Sequence, residues 1–298
     1  MGVHTVPQVR LSGGVMMPQL GYGVYQVDPA ECERCVSAAL EVGYRLIDTA
    51  QAYRNEEGVG RAIAACGIPR SELFITSKVW ITDYGYEAAR ASVLRSLERL
   101  RSDYADLMLL HQPYADTYGA WRALEELQEE GRLRAIGISN FYADRVVDFV
   151  SNTRIPPQVN QIETHPYFQR QAEIDLNARY GVRVEAWGPF AEGRQGIFTD
   201  RVLQDIAARH QRTSAQVMLR WNLQRGVVVI PKSTHRERMA ENFAVLDFEL
   251  SASDMQAIAA LDTGRSCFMN HQDPDTVAWF MKLIEEERER REAAGGTA

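Results

Sequence analysis

Residues 73–112 read LFITSKVWITDYGYEAARASVLRSLERLRSDYADLMLLHQ, and this stretch sets the fold class. It begins and ends on short runs, LFITSKVW (73–80) and DLMLLHQ (106–112), which are apolar or β-branched and of strand length. Between them YEAARASVLRSLERL (86–100) places apolar residues three and four apart, the period of an amphipathic helix. Strand, helix and strand in one span make a β-α-β unit, whose crossover helix leaves its two strands parallel.

The same alternation extends both ways at intervals of about 25 residues. The further candidate strands are LGYGVY (20–25), YRLIDTA (44–50), RAIGISN (134–140), QVNQIE (158–163), VRVEAWGP (182–189) and VVVIPKS (227–233), which makes eight in all. Helical patterns such as PAECERCVSAALEVG (29–43), NEEGVGRAIAACG (55–67), TYGAWRALEELQEEG (117–131) and SAQVMLRWNLQRG (214–226) lie between them, several stopped by Gly. Eight such units in about 250 residues fit an α/β fold of the closed (β/α)8, or TIM barrel, type better than an open sheet. We read 1–298 as one barrel domain, with QVRLSGGVMMPQ (8–19) forming an N-terminal β-hairpin that plugs one end. C-terminal extra helices follow: one near 251–261, an irregular stretch TGRSCFMNHQDPD (263–275) that overhangs the mouth, and a charged helix WFMKLIEEERERRE (279–292), the tail from about 288 to 298 fraying.

Composition narrows the function. With 33 Lys+Arg against 40 Asp+Glu the net charge is −7, which disfavours capture of a nucleic-acid backbone and favours small-molecule chemistry. No run approaches the roughly 18 apolar residues of a membrane span, and MGVHTVPQVRL has neither the basic nor the apolar region of a secretory signal, so the expected location is cytoplasmic. Cys32 and Cys35 are spaced C-x-x-C but fall within a helical pattern with no second pair, which suits buried structural residues. Gly21-x-Gly23 and Gly58-x-Gly60 lack the third glycine of a Rossmann fingerprint. The six histidines show no metal-ligand spacing, so no metal site is expected, and His4, His210 and His271 read as surface residues.

In a barrel of this kind chemistry sits at the C-terminal ends of the strands. Asp48 ends the second strand, Tyr53 lies in its loop, Lys78 is near the end of the third and His111 ends the fourth. Unpaired, a buried Lys or Asp is costly, whereas the pair offsets part of that cost, and a structural ion pair is the plain alternative reading. The combination of types points further. A free tyrosine is a poor acid at neutral pH, and an adjacent ammonium lowers its pKa. Lys78 would do this for Tyr53, Asp48 would hold Lys78, and His111 would hydrogen-bond a carbonyl oxygen, a set that suits carbonyl reduction.

At these residues the chain resembles the aldo-keto reductase superfamily, whose Asp, Tyr, Lys and His fall on Asp48, Tyr53, Lys78 and His111. The resemblance spans roughly residues 5 to 280 and includes GYRLIDTAQAYRNEEGVG and IPKSTHRERMAEN; within the superfamily it is greatest to the bacterial 2,5-diketo-D-gluconic acid reductase and prostaglandin F synthase-like branch. It implies NADPH as cofactor and reduction of an aldehyde, ketone or dicarbonyl, with Tyr53 as proton donor. It assigns Ser139, Asn140 and Gln161 to the nicotinamide carboxamide, and Trp187 to the stacking position where many members have tyrosine. It further assigns Lys232, Ser233, Thr234 and Arg238 to the adenosine 2′-phosphate and Glu241 and Asn242 to the adenine. Three cations (Lys232, Arg236, Arg238) in seven residues of an acidic chain fit a phosphate.

Where many relatives have H-W-P, this chain has His111-Gln112-Pro113, so an amide replaces an aromatic wall. Trp80 and Tyr25 are the other expected substrate-pocket residues, joined by Phe268 and Trp279 from the 264–280 stretch, while His165-Pro166 belongs to the scaffold. The partner is a small carbonyl substrate, with neither nucleic acid nor membrane, and a monomer is expected. Two other readings remain at this level: a non-catalytic NADPH-binding scaffold or redox sensor, and a metal-dependent barrel hydrolase or sugar isomerase, whose ligand sets are missing.

Overall fold

Along DLMLLH the odd and even residues part company. Leu107 and Leu109 lie among the residues that fill the barrel, while Met108 and Leu110 pack outward among the helices. A strand with two buried faces needs apolar residues at both parities, which is why this run is continuous rather than alternating. The computed structural model describes residues 6–294.

The expected hairpin is present: β1 (Gln8–Arg10) and β2 (Met16–Pro18) pair antiparallel, with Val9 opposite Met17. Eight parallel strands follow, each hydrogen-bonded to the next: β3 (Tyr22–Gly23), β4 (Leu46–Asp48), β5 (Phe74–Val79), β6 (Ala105–Leu110), β7 (Leu133–Ser139), β8 (Val159–Glu163), β9 (Arg183–Trp187) and β10 (Val228–Val229). A parallel Leu20–Val229 bridge closes the ring, with Gly21 N donating to Val229 O at 2.8 Å and Val229 N to Gln19 O at 3.0 Å. The chain thus has the (β/α)8 fold. Gly23 serves this seam, since a Cβ there would meet Ile230 O at 2.9 Å. Gly137 does the same inside the barrel, where a Cβ would lie 2.6 Å from both Leu109 Cδ2 and Val159 O.

Helices cover the outside, most of them where the pattern places them: Pro29–Val42, Glu56–Ala65, Tyr86–Arg99, Thr117–Glu129 and Ser214–Gln224. Asp28, Asp116 and Thr213 cap three of these through their side chains. Cys32 and Cys35 are fully buried on the inner face of the first, packed in one core with Tyr22 and Tyr44. The pattern did not single out Ala143–Ser151 and Gln171–Arg179, nine-residue helices whose N-caps Tyr142 and Arg170 make no side-chain capping bond. The C-terminal helix runs Pro274–Ala293, so 288–293 continues it instead of fraying. Arg291 holds that end through Asp83 at 2.9 Å. The expected fraying of 295–298 and the placement of His4 lie outside the described residues. Among the described residues no helix is long and apolar enough to cross a membrane.

The barrel interior has two kinds of layer. Leu46, Phe74, Leu107, Leu109, Ala135, Val159, Val228 and Ile230 form an apolar floor, sealed from below by Leu11 and Met17 of the hairpin. Nearer the C-terminal ends of β4, β5, β8 and β9 come Asp48, Lys78, Gln161 and Glu185, all buried. Met17 is fully buried in this plug, so Met17→Ala should lower the unfolding free energy by about 2–5 kcal/mol in urea melts, against under about 0.5 for exposed Gln8→Ala.

Candidate functional site

Lys78 is fully buried near the end of β5, and an ammonium has three protons to place. Each finds an acceptor: Asp48 Oδ1 at 2.6 Å, the Thr49 carbonyl at 2.9 Å and the Tyr53 hydroxyl at 3.3 Å. Tyr53 reaches this place on a short 3-10 turn, Gln51–Tyr53, that follows β4. Arg54, at φ 56°, then turns the chain into the next helix. Asn55 fixes the turn from behind, accepting from Thr49 Oγ1 at 2.8 Å and donating to Val24 O at 2.9 Å. His111 completes the group, its ring edge-on to Tyr53 at 5.7 Å and to Trp80 at 5.0 Å. Its Nδ1 is buried without a hydrogen-bond partner. The four residues singled out in the sequence are therefore one cluster.

The electrostatics of that cluster differ in one respect from the sequence expectation. Lys78 does pull the Tyr53 phenol down, but burial outweighs it, and the pKa is pushed up to about 12. Tyr53 therefore keeps its proton at neutral pH beside an ammonium that favours its loss. Burial opposes the Lys78 ammonium too, yet Asp48 and Tyr53 prevail and its pKa is raised. Burial, then Lys78, hold His111 well below the usual imidazole range, so it is neutral.

Glu185 is the residue that the sequence reading missed. It is fully buried and pairs in register with Gln161 across β8 and β9. Gln161 Nε2 divides its two protons between Asp48 Oδ2 at 2.9 Å and Glu185 Oε2 at 2.8 Å. Burial, then the charge of Asp48, push the Glu185 carboxyl up to about 8. The signal was present in VRVEAW, where Glu185 shares its parity with the expected site residue Trp187.

The expected cofactor residues fall in two groups. Ser139 Oγ donates to the Gln161 carbonyl at 2.9 Å, and Asn140, in the left-handed region at φ 64°, donates to the His111 carbonyl at 3.2 Å while accepting from Trp187 Nε1 at 2.9 Å. These residues adjoin the cluster. The second group follows β10. Lys232 and Arg238 are exposed and without an ion-pair partner among the described residues, whereas Arg236 is paired with Glu41. The Ser233 carbonyl accepts from Tyr22 at 2.6 Å, and its Oγ accepts from His235 N at 3.1 Å, just before the helix Arg236–Phe243; Thr234 is half-buried between them. Asn242 is buried, and Glu241 accepts from Thr213 Oγ1 at 2.7 Å, which ties it to the neighbouring helix cap.

Around the mouth, the half-exposed Tyr25 ring lies 5.0 Å from Tyr53, and Gln112 is buried with Oε1 unpartnered. The 264–280 segment does overhang this end: Phe268 packs edge-on to Trp187 at 5.1 Å. From the final helix, however, it is Phe280 and not Trp279 that faces inward, against Trp80 at 6.2 Å and Tyr114 at 5.3 Å, while Trp279 is 55% exposed. His271 is a second correction. It is buried, its carbonyl accepts from Tyr114, and burial pushes its ring down to about 4.

The chain was compared with known proteins. Residues 10–263 match the family described as the Aldo/keto reductase family. A glyoxal reductase of Bacillus subtilis strain 168 is 47% identical over 256 residues, 85% of this chain and 92% of that protein. The methylglyoxal reductase DkgA of Escherichia coli strain K12 is 44% identical over 260 residues, 86% of this chain and 94% of that protein. Among solved structures, an aldo-keto reductase of Bombyx mori in complex with NADP superposes with a TM-score of 0.85 at 31% identity, covering 90% of this chain and 96% of that one.

Glu185 supplies a prediction. Folded, it keeps its proton to about pH 8, against an ordinary 4.5, so its contribution to stability is full below the lower value and lost as pH rises through the upper. Glu185→Gln still accepts from Gln161 but cannot ionise. Its urea midpoint should rise relative to the parent between about pH 5 and 8 and level off above. A gap that stays constant over that range would refute a neutral Glu185.

Proposed function

Because the chain belongs to the aldo/keto reductase family and is an oxidoreductase by that membership, we propose that it reduces small 2-oxoaldehydes to hydroxy compounds with NADPH, Tyr53 delivering the proton. The observation that carries this reading is the Lys78 ammonium 3.3 Å from a tyrosine hydroxyl that still holds its proton. The residues fit the cofactor. Trp187 offers an aromatic face beside Asn140 and Gln161, and Lys232 and Arg238 are two cations without internal counter-charges among the described residues, as a 2′-phosphate site requires. NADPH, when bound, supplies the hydride.

The chain's own residues do the rest. His111, neutral, places a ring nitrogen where it hydrogen-bonds the carbonyl oxygen and so orients it toward Tyr53. As negative charge develops on that oxygen, Tyr53 gives up its proton, and the phenolate left behind is stabilised by Lys78. Asp48 keeps Lys78 charged and fixed. Gln161 is held by Asp48 and Glu185 through its nitrogen, which leaves its oxygen to accept from the nicotinamide carboxamide. Ser139 and Asn140 flank the same edge, and Ser233, Thr234, Glu241 and Asn242 frame the far end of the cofactor strip. Tyr25 and Trp80 wall the substrate pocket, and the unpartnered Gln112 amide favours a substrate with a second polar group next to its carbonyl.

Following NADPH oxidation with methylglyoxal tests the reading. Tyr53→Phe should lower kcat by about 10²- to 10⁴-fold and leave the NADPH dissociation constant unchanged by fluorescence titration. Tight NADPH binding by the parent without turnover on any carbonyl would overturn the reductase assignment. Lys232→Ala and Arg238→Ala should each raise KM for NADPH by about 10- to 100-fold and leave KM for NADH unmoved. Equal effects on both cofactors would remove these residues from the phosphate site.

A further inference from the structure

Where β8 ends, three side chains of different chemistry meet that carbonyl reduction leaves unused. Glu163 is its last residue and is buried, His165 follows and is fully buried, and Cys267 comes from the segment over the mouth. A carboxylate oxygen, an imidazole nitrogen and the thiol sulfur lie within 4.8 Å of one another. The carboxylate acts as a clasp: Oε2 accepts from Ser266 Oγ at 2.5 Å, and Oε1 accepts from Cys267 N at 2.8 Å and lies 2.9 Å from His165 Nε2. The donor set is not saturated. Cys267 Sγ has no hydrogen-bond partner among the described residues, and His165 Nδ1 is buried with none. Motif spacing does not reveal such a set, because Cys267 is 104 residues from Glu163.

We propose that Glu163, His165 and Cys267 form a site for a thiophilic divalent cation of the zinc type, whose occupation pins the 263–271 segment over the cofactor strip. The ligand types select the class: thiolate with imidazole and one carboxylate suits zinc, whereas magnesium and calcium take oxygen alone. Three protein ligands leave the fourth tetrahedral position to water. Ligand atoms around zinc, bonded at about 2.0–2.3 Å, lie roughly 3.3–3.7 Å apart, so the group closes by about an ångström. Cys267, half-buried on a loop, is placed to make that move. On binding, a metal–sulfur bond forms, the thiol proton passes to solvent and a His165 ring nitrogen gives its lone pair to the ion. Cys32 and Cys35, fully buried under their helix, are shielded from the ion.

Pinning Cys267 reaches the mouth by direct contact. Its neighbour Phe268 rests on Trp187, and Arg194 from the loop after β9 donates to the Cys267 carbonyl at 2.8 Å and lies over the Phe268 ring at 4.2 Å. Slower cofactor exchange follows, a consequence that rests on the cofactor strip proposed above; the binding of the ion does not.

Cadmium titration of the full chain, followed by the ultraviolet band of a cadmium–thiolate bond, tests the site. One ion per chain is expected in the parent and in Cys66→Ser, with the band lost in Cys267→Ser and the affinity lowered more than ~10-fold in Glu163→Gln. Zinc should slow NADPH release several-fold in the parent and leave it unchanged in Cys267→Ser. A band that survives Cys267→Ser, or release in the parent that zinc leaves unaltered, overturns the proposal. Failure of NADPH to bind, with the cadmium band intact, counts against the reductase reading and upholds the site.

Discussion

Three protons on the Lys78 nitrogen meet three oxygens, and the upper half of the barrel is arranged around that match. A fully buried ammonium is tolerable only when every donor is satisfied and a carboxylate stands beside it. Satisfying Lys78 puts Asp48 at the end of β4, turns the Thr49 carbonyl inward and draws the Tyr53 loop across the strand ends. The requirement that makes the lysine tolerable also brings the phenol within its field. One arrangement therefore serves both stability and chemistry, and it extends further, because the second oxygen of Asp48 engages Gln161 and through it Glu185.

That chain of contacts explains the abrupt change of character inside the barrel. Below, the hairpin seals a floor of Leu, Val, Ile, Ala and Phe that supplies apolar burial; above, toward the C-terminal ends of β4, β5, β8 and β9, the filling is ionic and amide. Two carboxyls, one ammonium and one amide share that layer. A single positive charge does not offset both acids: burial pushes the Asp48 and Glu185 carboxyls up alike, and Lys78, 2.6 Å from Asp48, counters that rise more strongly at Asp48 than at Glu185.

Much of this was legible in the sequence, and the reason is periodicity. Strand and helix patterns follow from local spacing, so the eight strands, the hairpin and the principal helices could be read, and polar residues at the ends of apolar strands marked Asp48, Lys78 and His111. What local spacing does not carry is depth. The phenol of Tyr53 looked as though Lys78 would acidify it, but the burial that outweighs Lys78 is a property of the folded mouth. His271 has polar neighbours in sequence, yet it is covered by Tyr114 and Tyr142 from other strand ends. Phe280 takes the inward place expected of Trp279, because the facing of a terminal helix depends on what it meets. Glu163 and Cys267 became neighbours only through the fold.

The seam between β3 and β10 is held by few bonds, and Gln19 reinforces it by donating to the Leu223 carbonyl across 204 residues of chain. Such a contact closes one of the longest loops among the described residues, and its entropic cost must be met before its bonds form. Asp48 and Lys78 lie on the consecutive strands β4 and β5, Tyr53 on the turn after β4 and His111 directly after β6, all in the first half of the chain. During synthesis this half emerges with the Asp48–Lys78–Tyr53 cluster largely specified, while β10, which shuts the ring and leads into the segment with Lys232 and Arg238, the cations proposed for the phosphate, emerges late. The two exposed cations thus follow directly on the strand that closes the ring, and a chain halted before β10 would hold the buried cluster without them.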